Sequence, residues 1–450
     1  MVLFQRLVFA GMAAGSVIDV NTLFSYEMCL YPTSLFDEKL LLREPTAKSQ
    51  LASIIISKKP ECVVHHDLPS DVVYVIDGGS LLWQVVWKED ETFGNLCERY
   101  VNFIVKKYKS AIIVFDSYNM QQGSTKDEAH IHRMGKKVSV DIQVNDDTMI
   151  EVQKKPFLDN SNNKQQFINT LSNHMAEADI DVIHSQCDAD YDLALTAYRQ
   201  AEHHPTIVIA DDTYTFCLLL HMNKENTHKQ VFMQMDQSHK TVSISTLKEH
   251  LNKEFLETLP ALHALSGCDS TSRPFGIGTS TVVDKYKKMI LPCKALMSTS
   301  STAEEVIQAG EQALAIIYGF DGIDLNTARS SKFCNKIATA KQYLKPQLLP
   351  PTADAAQLHT MRVYHQVQTW KGENLDPLNW GWVKKLNNRG HVILKPLRMT
   401  NPPAPEALLN IINVRVKEIV ISVNAAVLST ICIAQLHVKT AKALLAKIMG

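Results

Sequence analysis

Four apolar runs in this chain each end in aspartate: VVYVID at Asp77, AIIVFD at Asp116, DVIHSQCDAD at Asp188 and Asp190, and TIVIADD at Asp211 and Asp212. A further acid, Asp269, closes ALSGCD. Unbroken Val/Ile runs read as parallel strands buried on both faces, and in open α/β sheets ligands gather beyond the carboxyl ends of the strands. The pattern therefore sets a row of carboxylates along one sheet edge. Like charges repel, so such a row calls for a cation, and oxygen-only donors suit a hard divalent one, Mg2+ or Mn2+.

The apolar runs alternate with helical periods. Strands are expected over 72–76, 111–115, 181–184 and 206–210, and helices over 92–108, 165–177, 189–202 and 214–221. That alternation predicts an α/β fold with a mostly parallel twisted central sheet flanked by helices. Between them, 117–164 lacks a sustained apolar period and reads as a long polar loop. At 450 residues the chain exceeds what one core usually organises. Four segments are expected: an N-terminal extension 1–68, a core 69–259, a helical unit 260–345, and a C-terminal extension 346–450 with a helix near 356–369 and a basic tail.

A formal net charge of −1 neither demands nor excludes a polyanionic partner. The charge is uneven: from Val383 onward ten Lys/Arg stand against Glu406 and Glu418. Nucleic-acid contact and a solvated basic face are both open readings of that end. Nine cysteines with no CxxC pair argue against a disulfide framework or a zinc knuckle, so reduced thiols inside a cell, in nucleus or cytoplasm, are expected. The opening MVLFQRLVFAGMAAGSV is read as a buried helix rather than a signal peptide. The apolar stretch 419–434 contains Asn424 and is shorter than the roughly 20 residues a bilayer requires, so no membrane span is expected. The pairs His65–His66, His130/His132 and His203–His204 read as surface or packing residues, and Cys187 and Cys268 as small buried thiols.

Two-metal hydrolysis of a phosphodiester needs two divalent cations roughly 3.5–4 Å apart, held by carboxylates from several strands. Asp77, Asp116, Asp188, Asp190, Asp212 and Asp269 are the candidates. Taken in order, VIDGGSLLW, VFDSYN, HSQCDADYDLALTAY, VIADDTYTFCLLL and LSGCDSTSRPFGIGTSTVVDKY resemble the motifs of the structure-specific 5′ nucleases. These are the flap endonucleases and their xeroderma-type repair relatives in the PIN-like superfamily, and the likeness spans about residues 71–290.

The resemblance implies that Asp77, Asp116, Asp188 and Asp190 hold a first metal, and Asp212 and Asp269 a second. It implies that Lys126 and Arg133, seven residues apart on a helix, reach the scissile phosphate. It also implies that Gly276, Ile277, Gly278 and Lys285 contact a duplex phosphate, with DNA or RNA as partner. Where the family carries another Asp, this chain has Tyr214, and a phenol with pKa about 10 is a poor magnesium ligand. The second metal site is therefore expected to be impaired. Flanking segments such as LYPTSLFDEKLLLREPTAKSQLA and NPPAPEALLNII are similar to uncharacterised animal proteins that add a cysteine-rich tail, of which only Cys432 is present here. An endonuclease is the leading expectation, and a catalytically silent scaffold for protein or nucleic-acid interaction is the alternative.

Overall fold

The computed structural model describes residues 20–45, 49–64, 68–88, 90–116, 124–126, 139–185, 188–222, 229–235, 240–339, 344–386, 392–406 and 409. At its centre is a seven-stranded sheet formed by β1 (Val63–Val64), β2 (Val73–Asp77), β3 (Ala111–Phe115), β4 (Asp181–His184), β5 (Thr206–Ile209), β6 (Val231–Met235) and β7 (Lys240–Ser243). The order across the sheet is β1-β7-β6-β5-β2-β3-β4. The five strands from β6 to β4 pair in parallel, while β7 runs antiparallel to β6 and β1 antiparallel to β7. The expected fold class is what the chain forms.

Both faces of the parallel strands are covered, which is why their sequences show apolar runs rather than alternation. Val75, Val114 and Val208 point into one cluster with the helices Ala189–Gln200, Thr213–His221 and Lys253–Ser266. Ile76, Ile113, Phe115, Ile207 and Ile209 point into the other with Phe93–Lys107 and Ser161–Glu177. Successive side chains of a strand face opposite sides, so each run supplies two cores at once.

The topology also decides where a ligand can sit. From β2 the chain proceeds to β3 and β4 on one side, then returns to place β5 and β6 on the other. Neighbouring strands whose connections leave in opposite directions open a crevice at their carboxyl ends. In register, Asp77 lies opposite Val114 of β3, and Ile76 opposite Ile209 of β5. Asp77, Asp116 and the Asp211–Asp212 pair thus leave the same edge at neighbouring levels.

Several boundaries differ from the sequence reading. Helix Ser161–Glu177 starts four residues early, because Asn160 caps it by accepting the N–H groups of Asn162 and Asn163. The stretch read as polar loop also holds a short helix, Lys154–Leu158. The helix expected near 356–369 spans Ala353–Thr369, with Thr352 as its cap. Strands β1, β6 and β7 were not anticipated. Helix Lys253–Ser266 runs unbroken through residue 260, and one cluster draws on Leu51, Val75, Cys293 and Val367, hence on all four expected segments.

A buried ion pair fastens the outer layers. Arg329 Nη2 lies 3.3 Å from Glu27 Oε2, with side-chain exposures of 1% and 2%. Glu27 Oε1 also accepts from the Thr352 N–H at 2.9 Å and the Thr352 hydroxyl at 3.0 Å, and Arg329 donates to the carbonyls of Glu27 and Pro350. Buried pairs of this kind fix geometry more than they add stability, and here the Arg329 Nε is left without a hydrogen-bond partner among the described residues. Among the described residues no helix is long and apolar enough to cross a membrane.

Candidate functional site

Three of the strand-ending acids, Asp77, Asp188 and Asp212, are oriented by the helices that follow them. Asp77 Oδ1 accepts the Gly79 N–H at 2.8 Å, Asp188 Oδ1 those of Asp190 and Tyr191 at 3.1 and 3.3 Å, and Asp212 Oδ1 that of Tyr214 at 3.0 Å. These are N-cap contacts, and the amino end of a helix favours negative charge. Strand, acid and helix start therefore form one local unit repeated along the crevice. Gly78 has no room for a side chain there, since a Cβ would fall 2.2 Å from the Phe115 ring.

The acids feel one another. Burial and the neighbouring Asp116, with a smaller push from Asp212, raise the Asp77 carboxyl to about 6. Asp190 is raised well above the usual carboxylate range, first by burial and then by Asp212 and Asp188. Its Oδ1 accepts the hydroxyl of buried Thr215 at 2.7 Å. Burial is the first cause of both shifts, and the charge of neighbouring carboxylates, which positive groups offset, is the second.

Two lysines supply that offset. Lys126 Nζ donates to Asp188 Oδ2 at 3.2 Å, with the lysine a quarter exposed and the acid 3% exposed. Burial alone would lower the Lys126 pKa, but Asp188, Asp190 and Asp116 together raise it well above the ordinary value. Lys126 lies in a turn, and Arg133, with the stretch expected to carry both on one helix, lies outside the described residues. Sequence reasoning missed Lys164, whose pKa is lowered by burial and partly restored by Asp116 and Asp77. Its position one turn into helix Ser161–Glu177 became visible only once that helix packed beside the sheet.

Tyr214 sits at the β5 end, 6% exposed. Its Oη accepts from Gln366 Nε2 at 2.8 Å, and its ring meets Trp370 edge-on at 4.0 Å. Lys126 Nζ stands 5.6 Å from the ring centroid. Burial, then Asp188 and Asp190, push the phenol pKa well up, so it stays protonated. A cavity joins Lys126, Asp190, Asp212, Tyr214, Asp269 and Gln366. Gln366 and Trp370 were also missed: they come from the Ala353–Thr369 helix and its end, and no local motif announces a contact so distant in sequence.

Asp269 follows Gly267, whose φ of +103° and close approach to the Arg273 backbone exclude a side chain. Gly276, at φ +74°, is exposed, and Gly278 caps helix Thr279–Asp284 while Ile277 is buried. Lys285 turns inward, donating to the carbonyls of Ile316 and Ile317 at 2.8 and 2.9 Å, and burial lowers its pKa. It caps the end of helix Ala303–Tyr318. Among the described residues, no three His, Cys, Asp or Glu side chains are gathered tightly enough to hold a metal ion.

No family model and no curated protein matches the chain. Among solved structures, it is similar to a T5 5′-exonuclease variant at 12% identity and TM-score 0.34, covering 67% of this chain and 89% of that one. The catalytic core of Rad2 in complex with DNA substrate gives 13% identity and TM-score 0.33, covering 55% and 73%. The Holliday junction-resolving enzyme GEN1 in complex with product DNA and Mg2+ gives 12% and 0.29, covering 72% and 64%. At these scores the account of the fold rests on this chain's own strand order and crevice.

Proposed function

We propose that this chain is a PIN-like protein related to the flap nucleases, which binds nucleic acid at the carboxyl edge of its sheet and cleaves phosphodiesters with a divalent cation. One observation carries the reading: the strand order brings Asp77, Asp116, Asp188, Asp190 and Asp212, from four successive strand ends, to one edge of the sheet, where Lys126 bonds to Asp188.

The donor set suits Mg2+ or Mn2+ in kind, since carboxylate oxygens surround the crevice and Asp77 and Asp190 hold raised pKa values that a cation would relieve. Asp77, Asp116, Asp188 and Asp190 would have to draw together to hold it, since among the described residues no three such side chains are gathered tightly enough. When bound, such an ion lowers the pKa of water and stabilises charge on a phosphoryl oxygen. Asp188 is meanwhile paired with Lys126, so a cation and the lysine compete for it. Lys126 released from Asp188 offers its ammonium to a substrate phosphate. The basic tail and the loop at Gly276–Gly278 are candidates for further phosphate contact, whereas Lys285 is committed to carbonyls.

The alternative, a catalytically silent nucleic-acid-binding scaffold, is favoured by the acids' engagement with helix caps, Thr215 and Lys126. Cleavage of a flap or single-stranded substrate, with and without Mn2+, separates the two. We expect Mn2+-dependent cleavage that Asp116→Ala abolishes. Retained binding without cleavage favours the scaffold, and cleavage indifferent to Asp116→Ala sinks the assignment of the site.

A further inference from the structure

We infer that the junction between the N-terminal segment and the helical unit is a binding site for a phosphate monoester group, separate from the carboxylate crevice. It is built from Arg43, Arg273, Ser34, Tyr318 and Arg329, and it stands whether or not the chain cleaves phosphodiesters.

Two arginines meet at its mouth. The Arg273 N–H donates to the Arg43 carbonyl at 2.8 Å and the Phe275 N–H to that of Ser34 at 2.8 Å, so the loop after Asp269 runs along the N-terminal segment. The Arg43 guanidinium stands 4.8 Å from the Phe275 ring centroid and donates through Nε to the Thr33 carbonyl. Both arginines are half-buried, and among the described residues neither has a carboxylate within ion-pair distance. Burial lowers the Arg43 pKa; Asp37 counters this from farther off, and Arg273 adds to it. Like charges held together in partly desolvated surroundings call for an anion, and guanidinium forks match the oxygens of phosphate.

Behind them lie donors with nothing to donate to. Tyr318, Ser34 and Arg329 are buried, and Tyr318 Oη, Ser34 Oγ and the Nε atoms of Arg273 and Arg329 lack a hydrogen-bond partner among the described residues. Burial keeps the Tyr318 phenol protonated and hence a donor, with Arg329, Ser34 and Arg43 beside it. Lys332, from helix Leu325–Thr339, adds a positive charge 4.6 Å from the Tyr318 ring centroid. Glu27 does not answer these donors, since its carboxylate is taken by Arg329 Nη2 and by Thr352. Unmet buried donors are costly, and a terminal phosphate, with three acceptor oxygens, relieves several at once.

The test is a titration of the full chain with inorganic phosphate, followed by calorimetry at low ionic strength. We expect one phosphate per chain, held about tenfold more weakly by Arg273→Gln, the scale of losing one charge-assisted hydrogen bond. Tyr318→Phe, which removes one donor and keeps the ring beside Lys332, should weaken binding about fivefold. Lys126→Met, a change in the crevice, should bind phosphate as the wild type does. No bound phosphate overturns the inference, as does an unchanged affinity in Arg273→Gln or an equal loss in Lys126→Met. Arg43→Gln gives the same reading should Arg273→Gln fail to fold. An oligonucleotide with a 5′-phosphate that displaces inorganic phosphate, where its dephosphorylated twin does not, identifies a strand end as the source. Phosphate that neither oligonucleotide displaces identifies a free phosphate or nucleotide, and equal displacement by the twin overturns the monoester.

Discussion

The strand-ending aspartates have two jobs, and the choice of substitution separates them. Asp212 is exposed and caps helix Thr213–His221 through the Tyr214 N–H. Asp212→Asn keeps a capping oxygen and removes the charge, whereas Asp212→Ala removes both and should cost about 1 kcal/mol. Urea midpoints of the two variants check this, and equal midpoints would deny the cap any energetic weight. Lys126→Met tests the other side of the crevice: loss of its ammonium should reduce cleavage by about 10²- to 10³-fold, the scale for losing one transition-state charge partner. Single-turnover rates read it. The acids were legible because strand, Asp and helix start are contiguous in sequence. Their use as caps was equally legible, since Asp before a helical period is itself a capping signature. Tyr214 could be seen as a departure, but not that Gln366 and Trp370 would hold it.

Among the helices, the buried face of Ala353–Thr369 shapes the behaviour most. It crosses Ala303–Tyr318 at Gly310, where a Cβ would fall 2.0 Å from Thr360. Gly310→Ala forces the two helices apart and should cost about 1–3 kcal/mol as overpacking, measurable as a lowered Tm. The same helix buries His359 completely, with neither ring nitrogen hydrogen-bonded among the described residues. Burial, aided by Arg362, lowers its pKa to about 3, and burial lowers that of His263 to about 4. A base whose folded pKa is depressed takes up its proton first in the unfolded chain. Their contribution to stability is thus full above the ordinary value of 6.5 and lost as pH falls through the window toward 4 and 3. Unfolding midpoints should drop between pH 7 and pH 5, and His359→Phe, which removes no hydrogen bond, should flatten the drop. An unchanged slope would locate the acid sensitivity elsewhere.

For the molecule as a whole, segments far apart in sequence close on one another. Glu27 joins Arg329 and Thr352, so the beginning of the described chain is tied to two later helices. Glu27→Ala leaves a buried guanidinium short of its charge partner and should cost about 3–5 kcal/mol by chemical denaturation. The central parallel strands were legible because burial on both faces writes a continuous apolar run. Strands β6 and β7 were not: VFMQM and KTVS are short and mix apolar with polar residues, with too little period to separate them from loop. The long-range ties were invisible for a different reason. A Glu, an Arg and a Gln look like surface residues until their partners arrive.

The distance between Tyr214 and Gln366 along the chain has a consequence in time. A ribosome delivers residues from the amino end, and early segments begin to fold before later ones exist. Every strand-ending acid, and Asp269 after them, emerges well before the helix that carries Gln366. A nascent chain therefore passes through a stage in which the acids are complete and Tyr214 has neither its hydrogen-bond donor nor Trp370 beside it.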